Sequence, residues 1–175
     1  MDVTAHKRFL VLGCGGSGKS TYSRRLAAAT GLDLVHLDSC YWKPGWNHTP
    51  AAEWEETVQN LIMQESWIID GSYYGTLDMR LQQADAVIFF DLPRLVCIWR
   101  VIKRRLQNIG GSNRLGMPAG CPERIYWKFL KWVWRYRESN RPQVMDKLRQ
   151  FSERGKVYVI TSDHQAEKLL HELKR

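Results

Sequence analysis

Five short segments rich in apolar residues recur along the chain, and stretches of helical composition separate them. These segments cover residues 9–12, 32–37, 67–70, 86–91 and 156–161. Continuous apolar runs of this length are typical of strands that are buried on both faces of a parallel sheet. Because strands alternate with helices, we predict a five-stranded parallel sheet that is covered by helices on both faces.

The segments between the strands carry helical patterns. The predicted helices cover about residues 21–29, 50–64, 77–83, 94–108, 124–137, 142–154 and 165–173. Residues 109–122 differ, because they contain four glycines and two prolines and fit no regular element. We expect this segment to be a mobile loop within a helical lid at about residues 106–140.

The first predicted strand leads into residues 13–20, which read GCGGSGKS and match the pattern G-x-x-x-x-G-K-[ST] in full. A helix follows directly, as a phosphate-binding loop (P-loop) requires and a chance glycine-rich turn does not. We predict that Lys19 contacts the β- and γ-phosphates of ATP and that Ser20 binds Mg²⁺. The predicted nucleotide-binding residues are Gly13, Gly15, Gly16, Ser17, Gly18, Lys19, Ser20 and Thr21.

Two apolar runs end in an aspartate, Asp70 and Asp91. An acid at the end of a buried strand is the Walker B pattern, which holds Mg²⁺ directly or through water. Periodicity alone leaves both candidates open. We favour Asp70 as the metal ligand because Gly71 follows it and permits a close approach to phosphates, which leaves Asp91 as a turn-forming or supporting acid.

A third acid, Asp38, follows the second predicted strand, where ligands bind in open α/β sheets. We interpret Asp38 as a general base that accepts the proton of an acceptor hydroxyl. The alternative is an aspartate that caps a turn or helix. Aromatic residues follow the ends of strands two and three, and the predicted substrate-binding set is Asp38, Trp42, Trp46, Gly71 and Tyr73.

The net charge of +8 is concentrated in one third of the chain. Residues 94–149 carry 14 Lys or Arg against three acids, a net of +11. A block this basic indicates an anionic partner, either nucleotide phosphates or a nucleic-acid backbone, although single residues can simply be solvated. The arginines that we consider for stabilising a transferring phosphoryl group are Arg100, Arg104, Arg135, Arg137 and Arg141.

Aromatic and basic residues are interleaved over residues 124–137. Such rings can stack on the bases of single-stranded nucleic acid. Their helical spacing, however, is that of a buried stripe, which favours packing of the lid against the core.

Several motifs occur together in a known family. The segments WIIDG at 67–71 and IFFDLP at 88–93 resemble the adenylate-kinase-like P-loop kinases. The segments HLD at 36–38, YWKPGW at 41–46, TLDMR at 76–80 and RP at 141–142 extend the resemblance to the bacterial DNA topology modulation protein group. This resemblance covers nearly the whole chain. It implies a P-loop NTPase three-layer sandwich with a helical lid.

Residues 72–74 depart from the adenylate kinases, in which an aromatic residue, a proline and an arginine follow the Asp-Gly pair. Here the sequence is Ser-Tyr-Tyr, so the arginine that clamps an AMP phosphate is missing. Asp38 followed by Tyr41 is instead similar to the start of the acceptor site in nucleoside-type kinases.

The length of 175 residues predicts one domain over residues 1–175. No apolar stretch approaches a membrane span, no signal-peptide pattern begins the chain, and the four cysteines are widely spaced, so we expect a cytoplasmic protein. We predict a kinase that uses ATP and Mg²⁺ to phosphorylate a small nucleoside-like, nucleotide-like or other hydroxyl-bearing acceptor. The alternative is a nucleotide-dependent DNA-associated protein in which ATP switches the basic aromatic lid.

Overall fold

The structure is a computed structural model that describes residues 6–107, 120–121 and 127–174. In chain order its strands are β1 (Arg8–Gly13), β2 (Leu34–His36), β3 (Trp42–Lys43), β4 (Asn47–His48), β5 (Trp67–Asp70), β6 (Ala86–Phe90) and β7 (Lys156–Ile160). The helices are α1 (Lys19–Thr30), α2 (Leu37–Tyr41), α3 (Ala51–Ile62), α4 (Leu77–Gln83), α5 (Arg94–Gln107), α6 (Trp127–Ser139), α7 (Arg141–Phe151) and α8 (Asp163–Leu173).

Five of the strands form one parallel sheet in the order β2-β5-β1-β6-β7. The three central strands are almost completely buried, as their continuous apolar sequences predict. The predicted five-stranded parallel sheet is therefore confirmed. All five strands point the same way, so their carboxyl ends meet at one edge of the sheet, where β1 leads into the P-loop.

The helices cover both faces of the sheet. Helix α1 packs on β1, β2 and β5 and against α8, which also contacts β7. Helices α3 and α4 pack together, α4 contacts β1, and α7 contacts β7. Crossovers between parallel strands are right-handed. The chain crosses the sheet in one direction from β1 to β2 and in the opposite direction from β2 to β7, so α3, α4 and α7 lie on the face opposite α1. Helix α6 packs between α5 and α7 beside the P-loop.

The region after β2 differs from its prediction. We expected a strand over residues 32–37, but β2 covers only Leu34–His36 and Leu37 begins the short helix α2. Leu37 is fully buried against Gly71, and a Cβ at Gly71 would lie 2.8 Å from the Leu37 Cβ. This contact turns the chain out of the sheet. The antiparallel hairpin β3–β4, which no apolar pattern signals, follows α2.

The predicted division of the chain, one domain with a lid at about 106–140, stays a prediction. Residues 108–119 and 122–126, which contain most of the expected loop, lie outside the described residues. Within the described part, Gly45 N donates a 2.9 Å hydrogen bond to Gly120 O, and the Cys121 thiol donates to Lys43 O at 3.2 Å. No helix among the described residues is long and apolar enough to cross a membrane.

Candidate active site

The P-loop lies between β1 and α1 and takes its shape from its glycines. Gly13, Gly16 and Gly18 have positive φ angles of 147°, 80° and 94°, which side-chain-bearing residues rarely adopt. At Gly16 there is also no space, because a Cβ there would lie 2.3 Å from the carbonyl oxygen of Cys97. Glycines at these positions allow the backbone N–H groups of the P-loop to point toward one concave anion-binding site at the start of α1.

The other P-loop residues surround that concavity. Ser17 is buried, and its Oγ has no hydrogen-bond partner within the described part of the chain. Lys19 is the first residue of α1, and its ammonium donates to the carbonyl of Cys14 at 3.4 Å. Ser20 is half-buried and Thr21 is exposed on the same helical turn. The ring of Phe129, on α6, lies close to Gly15. A Cβ at Gly15 would be 2.5 Å from Cζ of that ring.

Arg100, on α5, reaches the P-loop from the side. Its Nη1 donates to the carbonyl of Ser17 at 3.3 Å, and its Nη2 forms an ion pair with Asp163 at 2.5 Å. Asp163 is the first residue of α8. Arg100 thereby links the P-loop to the last helix and places a positive charge beside the phosphate concavity.

Asp70 ends β5 and is 4% exposed. Its Oδ2 lies 2.8 Å from His36 Nδ1, and its Oδ1 is buried without a hydrogen-bond partner among the described residues. Burial raises the pKa of the Asp70 carboxyl, but the His36 hydrogen bond, the Lys19 charge and the nearby Ser20 hydroxyl outweigh burial and lower it. Asp70 is therefore a carboxylate with one buried, unpaired oxygen close to the P-loop serine.

Asp91, the other candidate for the metal, has a different environment. Its two oxygens accept hydrogen bonds of 2.7–2.9 Å from the Nε and Nη2 of Arg141. This bidentate pair satisfies the carboxylate and also engages the guanidinium that we considered for phosphate binding. The hydrogen bonds raise the pKa of Arg141. Asp91 and Arg141 thus hold β6 to the start of α7.

Asp38 lies in the first turn of α2, at the carboxyl end of β2. The hydroxyl of Tyr73 donates a 2.7 Å hydrogen bond to Asp38 Oδ1. Tyr73 follows β5, and its ring packs against Tyr41 and Trp54 at centroid distances of 4.8 and 5.0 Å. The two residues therefore meet although they leave the sheet from neighbouring strands.

A cavity of about 500 Å³ opens between the P-loop, the β3–β4 hairpin and α6. The predicted residues that line it are Gly13, Gly15, Lys19, Asp38, Trp42, Trp46, Gly71, Tyr73 and Arg104. The structure thus brings Lys19 of the P-loop and all five predicted acceptor residues to one space. Gly71 also has a structural role, because its missing side chain leaves room for Leu37.

Other predicted residues lie away from this cavity. Arg135 and Arg137 are exposed on α6 and do not line it. Arg137 instead lies beside Asp91, near a second, much smaller pocket. The buried residues of α6 are Val133 and Tyr136. The two predicted arginines that reach the P-loop or the cavity, Arg100 and Arg104, are on α5 instead.

Five further residues of the cavity wall were not predicted as site residues, namely Ser72, Tyr74, Cys121, Phe129 and Trp132. Ser72 and Tyr74 follow the Asp-Gly pair directly, which is the signal that could have found them. Phe129 and Trp132 are spaced three residues apart, so they share a face of α6. Trp127 and Trp134, by contrast, are 83% and 44% exposed, so the predicted buried stripe includes only part of the aromatic segment.

Comparisons with known proteins identify the fold. No protein-family model matches the chain, and no curated protein matches it. A shikimate kinase from Acinetobacter baumannii, solved in complex with shikimate, matches with a TM-score of 0.60 at 15% identity, over 97% of this chain and 92% of that one. A gluconokinase from Sinorhizobium meliloti 1021 matches with a TM-score of 0.55 at 18% identity, over 95% and 91%. At these identities the similarity shows the P-loop kinase fold.

Proposed function

We propose that the chain is an ATP-dependent phosphotransferase that transfers the γ-phosphate to a hydroxyl group of a small molecule. One observation carries the proposal: Lys19 and the hydrogen-bonded pair Asp38–Tyr73 line the same cavity. The lysine is the residue type that contacts a triphosphate in this fold, and the aspartate is a base for a hydroxyl. The fold shared with shikimate kinase and gluconokinase structures supports the same reaction class.

The donor side of the reaction uses the P-loop. Its N–H groups and the N-terminus of α1 would bind the phosphates of ATP, with Lys19 at the β- and γ-phosphates. Arg100 beside the loop and Arg104 in the cavity wall would stabilise the negative charge of the transferring phosphoryl group.

Ser20 and Asp70 have the chemistry that a Mg²⁺ site requires. Mg²⁺ prefers oxygen ligands, and the buried Asp70 Oδ1 has no hydrogen-bond partner among the described residues. The low pKa of Asp70 keeps this carboxylate ionised at neutral pH. We infer that Ser20 and Asp70 hold Mg²⁺, which neutralises charge on the β- and γ-phosphates when it is bound.

The acceptor side is built around Asp38. The Tyr73 hydroxyl fixes one oxygen of the carboxylate, so the orientation of Asp38 is set before an acceptor arrives. Asp38 would accept the proton of the acceptor hydroxyl as that hydroxyl attacks the γ-phosphate.

The walls of the cavity suggest the shape of the acceptor. Trp42 and Trp46 pack edge to face at 5.3 Å on one side, and Phe129 and Trp132 stack at 5.7 Å on another. Aromatic walls favour a molecule with flat apolar faces, such as the base of a nucleoside, over an acyclic polyol. This agrees with the similarity of Asp38 and Tyr41 to nucleoside-type kinases.

A screen for a phosphorylated product tests the proposal. The wild-type chain is incubated with Mg·ATP and, separately, with nucleosides, nucleoside monophosphates, sugars and shikimate-like ring acids. Mass spectrometry then detects any acceptor that gains one phosphoryl group. Lys19→Ala is the inactive control, and Lys168→Ala, at an exposed lysine of α8, is the matched control that should keep activity. Transfer to no acceptor of any class would overturn the proposal.

A second function has a specific observation in its favour. Trp127 and Trp134 are exposed on α6, with exposed Lys128, Lys131 and Arg135 on the same helix. Exposed rings among basic side chains can stack on single-stranded nucleic acid, which agrees with the resemblance to the DNA topology modulation group. Single-stranded DNA in the same screen tests this: stimulation of ATP turnover by DNA alone, lost in Trp127→Ala, would favour the second function.

A further inference from the structure

Arg80, on α4, is fully buried and has no carboxylate partner among the described residues. All four of its hydrogen bonds go to backbone carbonyls. They reach Gly71 O at 2.8 Å, Ser72 O and Tyr73 O at 2.7 Å each, and Thr76 O at 3.2 Å. Burial lowers the pKa of the guanidinium to about 9. Burying a cation in this way is unfavourable unless its polar groups are hydrogen-bonded, and here each of the three guanidinium nitrogens donates to at least one carbonyl.

Three of these carbonyls belong to the segment of residues 71–73, which we name the acceptor loop. Its side chains contact both halves of the candidate active site. Ser72 Oγ accepts a hydrogen bond from Gly13 N at 3.2 Å and donates one to Gly13 O at 2.8 Å. Tyr73 donates to Asp38. The acceptor loop is thus tied to the first residue of the P-loop on one side and to the proposed base on the other.

The acceptor loop has an unusual backbone. Tyr73 has a φ of 21°, in a region that residues with a side chain rarely adopt. Carbonyls that converge on one point need a donor that can reach several of them at once. The planar guanidinium, with five N–H groups in a fixed arrangement, can do this, whereas a lysine ammonium cannot match the same geometry.

We infer that Arg80 is a positioning residue that fixes the acceptor loop and, through Ser72 and Tyr73, sets the place of Asp38 relative to the P-loop. This inference rests on the proposed function, because it assigns Arg80 a part in aligning the donor and acceptor groups. Arg80 does not line the cavity, so its effect must pass through the acceptor loop. A purely stabilising arginine would instead affect folding and leave the geometry of Tyr73 unchanged.

The test compares Arg80→Lys with a matched variant of a second arginine that donates to carbonyls of α4. Arg154 donates to the carbonyls of Gln82 and Leu81 at the end of α4 and touches no residue of the acceptor loop. Arg154→Lys therefore removes guanidinium hydrogen bonds to the carbonyls of α4 without changing the acceptor loop. Both proteins are labelled with 3-fluorotyrosine, and Tyr73→Phe identifies the fluorine signal of Tyr73.

In folded Arg80→Lys we expect the Tyr73 fluorine signal to shift and broaden, while Arg154→Lys keeps the wild-type signal. We also expect phosphoryl transfer to fall by about tenfold or more in kcat, with the Kd for a fluorescent ADP analogue within about threefold. A wild-type Tyr73 signal in folded Arg80→Lys would overturn the inference.

A double variant tests whether Arg80 acts through Tyr73. In the Tyr73→Phe background, Arg80→Lys should reduce kcat by less than about twofold, because both changes disturb the same contact. If the losses in kcat of the two single variants instead multiply in the double variant, positioning through Tyr73 is contradicted.

If the wild-type protein phosphorylates no acceptor, the proposed function fails, but the fluorine signal of Tyr73 still reports on the acceptor loop. If Arg80→Lys does not fold, Arg80→Gln takes its place, and failure of both to fold would overturn the inference.

Discussion

The Tyr73 hydroxyl donates a 2.7 Å hydrogen bond to Asp38 Oδ1, which joins the carboxyl end of β2 to the segment after β5. The Tyr73 ring packs against Tyr41 and Trp54, which also contact each other, so the three rings form one cluster that positions the hydroxyl. A proton acceptor that is oriented before its substrate arrives loses less entropy in the transition state. This pair is therefore the acceptor half of the proposed mechanism.

Removal of the Tyr73 hydroxyl should slow phosphoryl transfer and leave the fold intact. Tyr73→Phe keeps the packed ring, and the loss of one hydrogen bond to a carboxylate, about 1.5–3 kcal/mol, predicts a fall in kcat of about 10- to 100-fold. Steady-state kinetics with the identified acceptor measures it. Tyr158→Phe, on β7, is the control and should keep wild-type kcat. Equal kcat for both variants would remove Tyr73 from the mechanism.

Two glycines with positive φ should respond differently to alanine. Gly16 and Gly31 have φ angles of 80° and 73°, but a Cβ at Gly16 would strike Cys97 O at 2.3 Å, whereas nothing lies within 4 Å of one at Gly31. Gly31→Ala should cost about 1 kcal/mol of stability from backbone strain alone.

Gly16→Ala carries the same backbone strain and the steric clash as well. We expect it to lower the unfolding free energy by at least about 3 kcal/mol, or to shift the P-loop enough to abolish binding of an ADP analogue. Urea unfolding and fluorescence titration measure the two effects. If the two alanine variants match in both measurements, the close contact between the P-loop and α5 is not as described.

Asp70 should make a pH-dependent contribution to stability. Although burial raises its pKa, the His36 hydrogen bond, Lys19 and Ser20 bring the folded value below the ordinary one of about 3.9. Ionised Asp70 therefore stabilises the fold fully above about pH 3.9, and this contribution is lost as the pH falls through the lowered value.

The difference in unfolding free energy between wild type and Asp70→Asn should accordingly be smaller below about pH 4 than at neutral pH. Urea unfolding at a series of pH values measures the difference. A difference that grows on acidification would show that the pKa of Asp70 is raised rather than lowered.

The sequence was sufficient for the architecture because the buried strands are continuous apolar runs and the P-loop carries its own pattern. Residues 67–70 and 86–91 were predicted as strands, and β5 and β6 lie there. It was not sufficient for α2 and the β3–β4 hairpin. These short elements depend on tertiary contacts such as that between Leu37 and Gly71, which a local pattern does not contain.

The same limit applies to the site. Asp38 and Tyr73 could each be predicted from their positions after strands, but their hydrogen bond joins residues 35 positions apart. The sequence also left open which of Asp70 and Asp91 faces the P-loop. Only the structure shows that Arg141 engages Asp91, because pairing of two charged side chains depends on how β6 and α7 pack.

The Asp91–Arg141 pair should act on stability more than on catalysis. Asp91 is 7% exposed, so Arg141→Met would leave a buried carboxylate without its partner, at a cost of about 3–5 kcal/mol. Replacing both residues, Asp91→Asn with Arg141→Met, should restore part of this loss. A double-mutant cycle by urea unfolding measures the coupling, which we expect to be about 1–3 kcal/mol. A coupling near zero would contradict a strong pair.

The central claim is that Asp38 accepts a proton while Lys19 holds the donated phosphate in the same cavity. The most direct measurement is single-turnover transfer of the γ-phosphate from Mg·ATP to the identified acceptor by wild type and by Asp38→Asn. We predict that Asp38→Asn lowers the transfer rate by about 100-fold or more, while the Kd for ATP changes by less than about threefold. An unchanged transfer rate, or equal losses in transfer and in ATP binding, would contradict the account.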